Sequence, residues 1–586
     1  MKVIRILDLL TKPGRIFLLC AFFMTSCQQV SADKPIDVLE KPARGEGQNA
    51  VYSDNAQNLF GYYLRALYAE TNEDVKSAAK FYTESLAIDK TNPELLQASF
   101  SNLYAAGRII AAAEIAQQAE SLNQNLRMGI EPALAIAARD ADWEAVLALS
   151  ESAIIEGSSQ HLGFLFRAWA MYNLGQNSAA INVLESLSKL LDEQGYSNSN
   201  FINLFIAQLF ILKNDYPLAL TQLAEISLDK TSNQELIIAT AEAYALAGKL
   251  KIAGKLAQNL SVNYNQEKVR SWLEQRFKSK NSQNYKNYFL AQSIVQLSLF
   301  TLTEETVSYL GHRSQLGLFI ANSNGFALPA ASFILLQLAD KQNDFQGTKF
   351  YFSSIPEANP HFQISLVLYL YQLRQHRETA DAIKLLQTYL AEKTNSPILE
   401  EMLADFYRIE KECHKAIVRY ENVAREKPRQ ADIHRKLGMC YEQTDQPHKA
   451  EAAFAKALEL NPNDSGALNY LGYWWADEGR NLEEAIELIT RAVELHPDNG
   501  YYADSLGWIY FKIGEADKAV KWLEHAIQLA PDDAVIHDHL GDVYWHLGRP
   551  LEARYKWQFA HEMYSNEATR KVVSEKIKFG LPPALD

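Results

Sequence analysis

Four Leu-Gly pairs, Leu437-Gly438, Leu471-Gly472, Leu506-Gly507 and Leu540-Gly541, follow one another at steps of 34, 35 and 34 residues. Spacing this constant marks a structural unit repeated along the chain, each copy burying its apolar face against the next. Two further series keep the register: Pro428, Pro462, Pro497 and Pro531, and Ala416, Ala450, Ala485, Ala519 and Ala553. A chain of 586 residues exceeds one ordinary core, and repetition is a way to grow without one.

Each period reads as two helices. The first carries Leu-Gly and an aromatic three residues on, and the second carries Ala and an apolar residue four on, so each apolar set falls on one face. Small residues such as Gly438 and Ala485 permit close helix approach. Tyr441, Trp475, Tyr510 and Tyr544 fill the space between units, and proline ends the second helix.

The segments HRKLGMCY at 434–441, LNYLGYWW at 468–475 and HDHLGDVY at 537–544 resemble the tetratricopeptide repeat (TPR), with the signature tryptophan replaced. The resemblance implies an all-α chain, a right-handed superhelical solenoid of helical hairpins. It gives five strong units at 397–430, 431–464, 465–499, 500–533 and 534–567, with the extra residue of the third near Gly479-Arg480-Asn481. Residues 568–586 resemble a closing helix and tail.

Upstream the signal is weaker. Ala78, Ala112, Ala145 and Ala179 step by 34, 33 and 34, Ala219 to Ala253 by 34, and Thr348, Ala382 and Ala416 repeat the step. These define a degenerate array over 56–253 and a divergent centre over 254–396. Between 254 and 347 the pattern fades; helices are expected near 288–299 and 328–338, an irregular turn near 279–285, and weaker packing than in 431–567.

The chain opens with Lys2, Arg5, Lys12 and Arg15, an apolar run from Ile16 to Met24, and then Thr25, Ser26 and Cys27. This is a signal-peptide layout over 1–26, and the run is shorter than the about 20 residues that span a bilayer. Met24-Thr25-Ser26-Cys27 resembles the bacterial lipobox, with Met24 departing from the usual Leu, Val or Ile; the resemblance implies acylation of Cys27. Residues 27–55 read as a polar tether, and Gln28 in place of Asp implies the outer membrane. Cys413 and Cys440 could pair in an oxidising periplasm, although lone helical cysteines are more often small buried apolar residues.

A net charge of −14 opposes general affinity for nucleic acid. The default binding face of such an array lies at offsets 2, 5, 9 and 12 of the first helices. In the last three units these offsets give Asn469, Tyr473 and Ala476, then Tyr501, Asp504, Trp508 and Phe511, then Asp538, Asp542 and Trp545. Aromatics beside carboxylates suit a protein or peptide with basic and apolar residues; alternatively, Trp508 and Trp545 pack between units. The carboxylates disfavour acidic C-terminal peptides.

His539, Asp542 and His546 fall near one face, but no zinc spacing supports a metal site. No GxSxG, phosphate-loop, GxGxxG or zincin motif is present, and neither catalysis nor a cofactor is expected. The leading reading is a lipid-anchored adaptor, resembling outer-membrane TPR lipoproteins, that holds protein partners and recruits a periplasmic protease. Alternatives are a structural part of a secretion, polysaccharide-export or outer-membrane assembly complex, and an enzyme with its site hidden in 254–347.

Overall fold

The computed structural model describes residues 54–581, except 156, 197–198, 229–233, 258–284, 302–308, 323–326, 358, 360 and 392–395. The signal segment, Cys27, nearly all of the tether and the turn near 279–284 lie outside the described residues. Within them the chain is an all-α solenoid of helical hairpins with no strand. None of the described helices is long and apolar enough to cross a membrane. The helices group into two compact units, one ending at His376 and one beginning at Arg377.

The C-terminal unit is regular because the same contacts recur. First helices Pro397–Ile409, Ala431–Gln443, Ser465–Asp477, Gly500–Lys512 and Ala534–His546 alternate with second helices Cys413–Glu426, Pro447–Leu460, Leu482–Leu495, Ala516–Leu529 and Pro550–Met563. Asp464, Asn499 and Asp533 cap three of the first helices by accepting hydrogen bonds from the next turn, which satisfies N–H groups the helix leaves open. All five repeat alanines are fully buried. At Gly472 an added Cβ would sit 2.7 Å from Ile489 and 2.9 Å from the Ala485 carbonyl oxygen, and at Gly438 and Gly541 it would meet the Phe454 and Trp557 rings, so the Leu-Gly position is fixed by close approach of the second helix rather than by flexibility.

The repeat aromatics bridge units. Tyr441 donates to Glu421 at 2.6 Å, Trp475 to Glu451 at 2.9 Å and Tyr544 to Glu524 at 2.8 Å, each acceptor lying on the second helix of the unit before. The extra residue of the 465–499 unit sits in a turn where Gly479 and Asn481 both take positive φ, 68° and 51°.

Cys413 and Cys440 form a disulfide across consecutive units, with Cα atoms 5.1 Å apart. This corrects the weight given to lone buried thiols: the start of one second helix lies directly against the next first helix, a proximity that spacing alone does not reveal.

In the N-terminal unit the register differs from the sequence reading. Ala78 and Ala112 are buried, but Val146 and Ala180, not Ala145 and Ala179, occupy the fully buried positions. The true step is an unbroken 34.

A larger departure concerns the divergent centre. Helix Tyr309–Asn322 packs on Pro93–Ala105, Ile109–Ser121 and Ile130–Arg139, and helix Lys286–Phe300 on Gln160–Asn173, Ser199–Leu212 and Gln234–Leu246. Most of these partners are first helices of the N-terminal hairpins, so the centre covers their face. Helix Lys286–Phe300 is buried continuously from Asn287 to Ser298, which explains its missing periodicity: a helix enclosed on every side has no polar stripe. The expectation of weaker packing at 254–347 is therefore wrong for its described part. That part is helical, so the feature favouring a hidden enzyme site is absent there.

Buried polar groups pin the arrangement. Glu131 accepts from Arg313 at 2.9 Å, Tyr104 at 2.8 Å and Ser159 at 3.0 Å. Glu242 accepts from Tyr288 and Gln292, both at 2.6 Å.

Candidate protein-binding groove

The first helices of the C-terminal unit stand side by side, and charged side chains bridge most of their junctions. Lys436 reaches Glu401 at 2.9 Å and Asp405 at 3.0 Å. Arg435 pairs with Asp432 and with Asp464, the latter at 3.3 Å. His539 Nδ1 lies 2.9 Å from Asp504 Oδ1. Lys576, on the closing helix Glu567–Phe579, reaches Asp538 at 2.8 Å and both oxygens of Asp542 at 2.8 and 2.9 Å.

These bridges occupy the acidic residues. Asp504, Asp538 and Asp542, read from sequence as free charges for a basic ligand, are already engaged within the chain, Asp504 by His539 of the next first helix and Asp538 and Asp542 by Lys576 of the closing helix. Asp542 also accepts from the buried indole N–H of Trp557 at 2.8 Å. Burial raises its pKa, against the pull of Lys576.

Trp545 is likewise committed. It packs on Trp557 with centroids 5.6 Å apart, Arg554 lies over its ring at 5.2 Å, and a side chain on Gly580 would overlap its indole. For Trp545 the packing alternative holds, because the closing helix takes the place of a sixth first helix.

The remaining candidates stay together and more open. Tyr501 is 58% exposed, while Asn469, Tyr473, Trp508 and Phe511 are half-buried. Trp508 stacks on His539, contacts Phe511 at 5.5 Å and has Lys512 over its ring at 5.4 Å. Burial, then Asp477, Asp504 and Glu442, push the Tyr473 hydroxyl up to about 12. Ala476 is fully buried and belongs to the core.

Two polar atoms here lack partners: Asn469 Oδ1 and Trp508 Nε1 are buried without a hydrogen bond. Such an orphan costs about 1–3 kcal/mol. Both lie on adjoining first helices, Ser465–Asp477 and Gly500–Lys512, whose inner positions hold no ionic bridge; the Lys512–Asp477 pair at 3.5 Å sits at the exposed helix ends.

Glu442 was missed because the offsets were read only in the last three units; it is offset 12 of the unit before. It is exposed, and its carboxylate has no ion-pair or hydrogen-bond partner among the described residues. His539 and His546 are engaged by Asp504 and Trp508, and by Phe511, respectively. Among the described residues no cluster suits a metal.

Residues 431–464 match the family model described as tetratricopeptide repeat, and residues 507–548 match a second described as TPR repeat. A 109-residue stretch is 35% identical to the BBSome complex member BBS4 of Bos taurus, covering 18% of this chain and 20% of that one. A 58-residue stretch is 41% identical to the TPR repeat-containing protein PA4667 of Pseudomonas aeruginosa, covering 10% of each. The chain thus spans a fifth or less of the length of these relatives. Among solved structures, a tetratricopeptide repeat protein from Parabacteroides merdae is similar at 19% identity and TM-score 0.36, over 43% of this chain and 99% of that one. The APC/C hetero-tetramer Cut9-Hcn1 is similar at 15% identity and TM-score 0.37, over 90% and 97%.

Proposed function

Because the chain carries tetratricopeptide repeats and is a protein-interaction scaffold of a typically non-catalytic fold, we propose that it captures protein partners on the first-helix face of its C-terminal unit. The observation that carries this reading is the contrast between faces. In the N-terminal unit the chain's own helices Lys286–Phe300 and Tyr309–Asn322 cover the first helices. In the C-terminal unit Tyr501 stands exposed beside Tyr473, Trp508 and Phe511.

The scaffold works at the periplasmic side of the outer membrane, held by lipid on Cys27 and presenting its partner, a periplasmic protease, to the envelope. Export is supported by the charged and apolar start and by the buried Cys413–Cys440 disulfide, since disulfides persist in oxidising compartments. The lipid anchor rests on the resemblance at Met24-Thr25-Ser26-Cys27.

Two measurements test the reading. Crosslinked pull-down of the mature protein from envelope extracts should capture a partner, with the yield reduced by Trp508→Ala while helicity is retained. Palmitate should label the wild type and not Cys27→Ser. Capture unaffected by Trp508→Ala would move the site elsewhere, and equal labelling would remove the anchor.

A further inference from the structure

Helix Asp54–Thr71 opens the N-terminal unit and packs on the second helix of its own hairpin, Val75–Ile88. Leu59, Tyr63, Ala66 and Ala69 belong to the core. The helix also carries Phe60, Leu64 and Tyr68, which are 64%, 47% and 74% exposed and, at four-residue steps, form one stripe. Terminal units of repeat arrays ordinarily turn a polar face outward; this one turns an aromatic face.

Beside the stripe an open hollow of about 410 Å³ has Leu64, Arg65, Tyr68, Asn72 and Phe81 among its lining residues. Two cations flank the Phe81 ring, Arg65 at 5.9 Å and Lys80 at 5.6 Å. Both are exposed, and neither forms an ion pair among the described residues. Asp74, at the rim of the hollow, is used in capping the second helix, where it accepts from the Ser77 N–H at 3.1 Å.

Taking the lipid on Cys27 as the anchor, we propose that this opening hairpin rests on the bilayer leaflet that holds the anchor. Phe60, Leu64 and Tyr68 enter the boundary between headgroups and acyl chains, and Arg65 and Lys80 meet lipid phosphates. Aromatic rings beside Arg and Lys are the side chains that settle at this boundary. Among the described residues this helix is the first element after Cys27, and residues 28–53 can span at most about 90 Å. Docking within that reach is intramolecular, so a small surface suffices.

A second copy of the chain fits this face less well. A stable protein interface engages about 20–30 residues a side, whereas this face offers one stripe, one further ring and two cations. A two-fold pairing centred on Leu64 would also set Arg65 beside its own counterpart. A lipid leaflet supplies phosphates for both cations and asks for no match of shape.

The test uses the mature chain with Cys27→Ser, so that the anchor takes no part, and vesicles of phosphatidylethanolamine with phosphatidylglycerol. Cys413 and Cys440 are joined, which leaves an introduced thiol free to take an environment-sensitive dye. Gly61→Cys places the dye within the stripe, where an added Cβ meets nothing within 4 Å; Ile155→Cys, at an 81% exposed position, is the comparison. Vesicles should shift the emission to the blue at position 61 and not at 155. Phe60→Ser, Leu64→Ser and Tyr68→Ser together should lower vesicle partition about tenfold or more. Arg65→Gln with Lys80→Gln should remove most of the preference for vesicles containing phosphatidylglycerol over phosphatidylcholine alone. All five changes fall on exposed side chains, and unchanged melting by circular dichroism certifies each variant as folded.

No shift at position 61, equal shifts at both positions, or partition indifferent to the triple serine variant would overturn the proposal. A shift at 61 that grows with protein concentration in the absence of lipid would give the face to a second copy and overturn it equally. Palmitate labelling at Cys27 separates the two levels. Labelling without the shift keeps the anchor and removes the docking, whereas the shift without labelling keeps the docking and removes the anchor.

Discussion

Trp508 and His539 lie face to face, their ring centroids 4.0 Å apart and their planes 17° from parallel. The same imidazole contacts Asp504 through Nδ1 at 2.9 Å. One side chain of the 534–567 unit therefore holds both an aromatic and a carboxylate of the unit before it, and the inner face there is built by the junction rather than by either helix alone.

This junction should make stability depend on pH. Burial disfavours the imidazolium, but Asp504, with Asp538 and Asp542 behind it, raises the His539 pKa above its ordinary 6.5. A raised folded-state pKa contributes stability that is full below about pH 6.5 and lost as pH climbs through the folded value. His539→Gln should therefore lower Tm more at about pH 6 than at about pH 9, measured by thermal melting; an equal effect at both would remove the charged pair.

The buried Glu131–Arg313 pair makes a stronger demand. Their side chains are 0% and 7% exposed, so Arg313→Ala leaves a carboxylate without its cation and should cost about 3–5 kcal/mol. Arg313→Met combined with Glu131→Gln should recover much of the loss in denaturant titration. A single variant as stable as the wild type would mean that helix Tyr309–Asn322 is not seated on Ile130–Arg139.

The disulfide closes a loop with a sequence separation of 27 residues. Replacing both Cys413 and Cys440 by Ser should cost about 3 kcal/mol by the loop-entropy argument. Alkylation of the unreduced protein from its native compartment, read by mass, should leave both sulfurs unmodified until a reductant is added.

Hydrogen exchange should be as slow in Lys286–Phe300 and Tyr309–Asn322 as in the hairpins of 431–567, because these helices are enclosed by the N-terminal first helices. Fast exchange across both would show that they do not rest on that face.

How much was legible depends on which contacts are local. The C-terminal hairpins could be read because each Leu-Gly glycine meets the second helix of its own unit and all five repeat alanines are fully buried; a steric demand repeated from unit to unit writes itself into sequence at intervals of 34 or 35 residues. The positions of Asp504, Asp538 and Asp542 could be read in the same way. Their engagement could not, since His539 comes from the next first helix and Lys576 from the closing helix, and nothing in their spacing declares a partner. Trp545 was ambiguous until Gly580 and Trp557 were placed against it. The centre was least legible of all: Lys286–Phe300 is buried all round, and its partners lie as far back in the chain as Gln160–Asn173.

The central claim is that the first-helix face of the C-terminal unit holds a protein partner, and site-specific photo-crosslinking tests it most directly. A crosslinker placed at Tyr501, which is 58% exposed on that face, is compared with one at Leu551, which is 81% exposed on a second helix. The account predicts a partner adduct at Tyr501 that weakens in the Trp508→Ala background, and none at Leu551. Equal adducts at both positions, or an adduct at Leu551 alone, would contradict it.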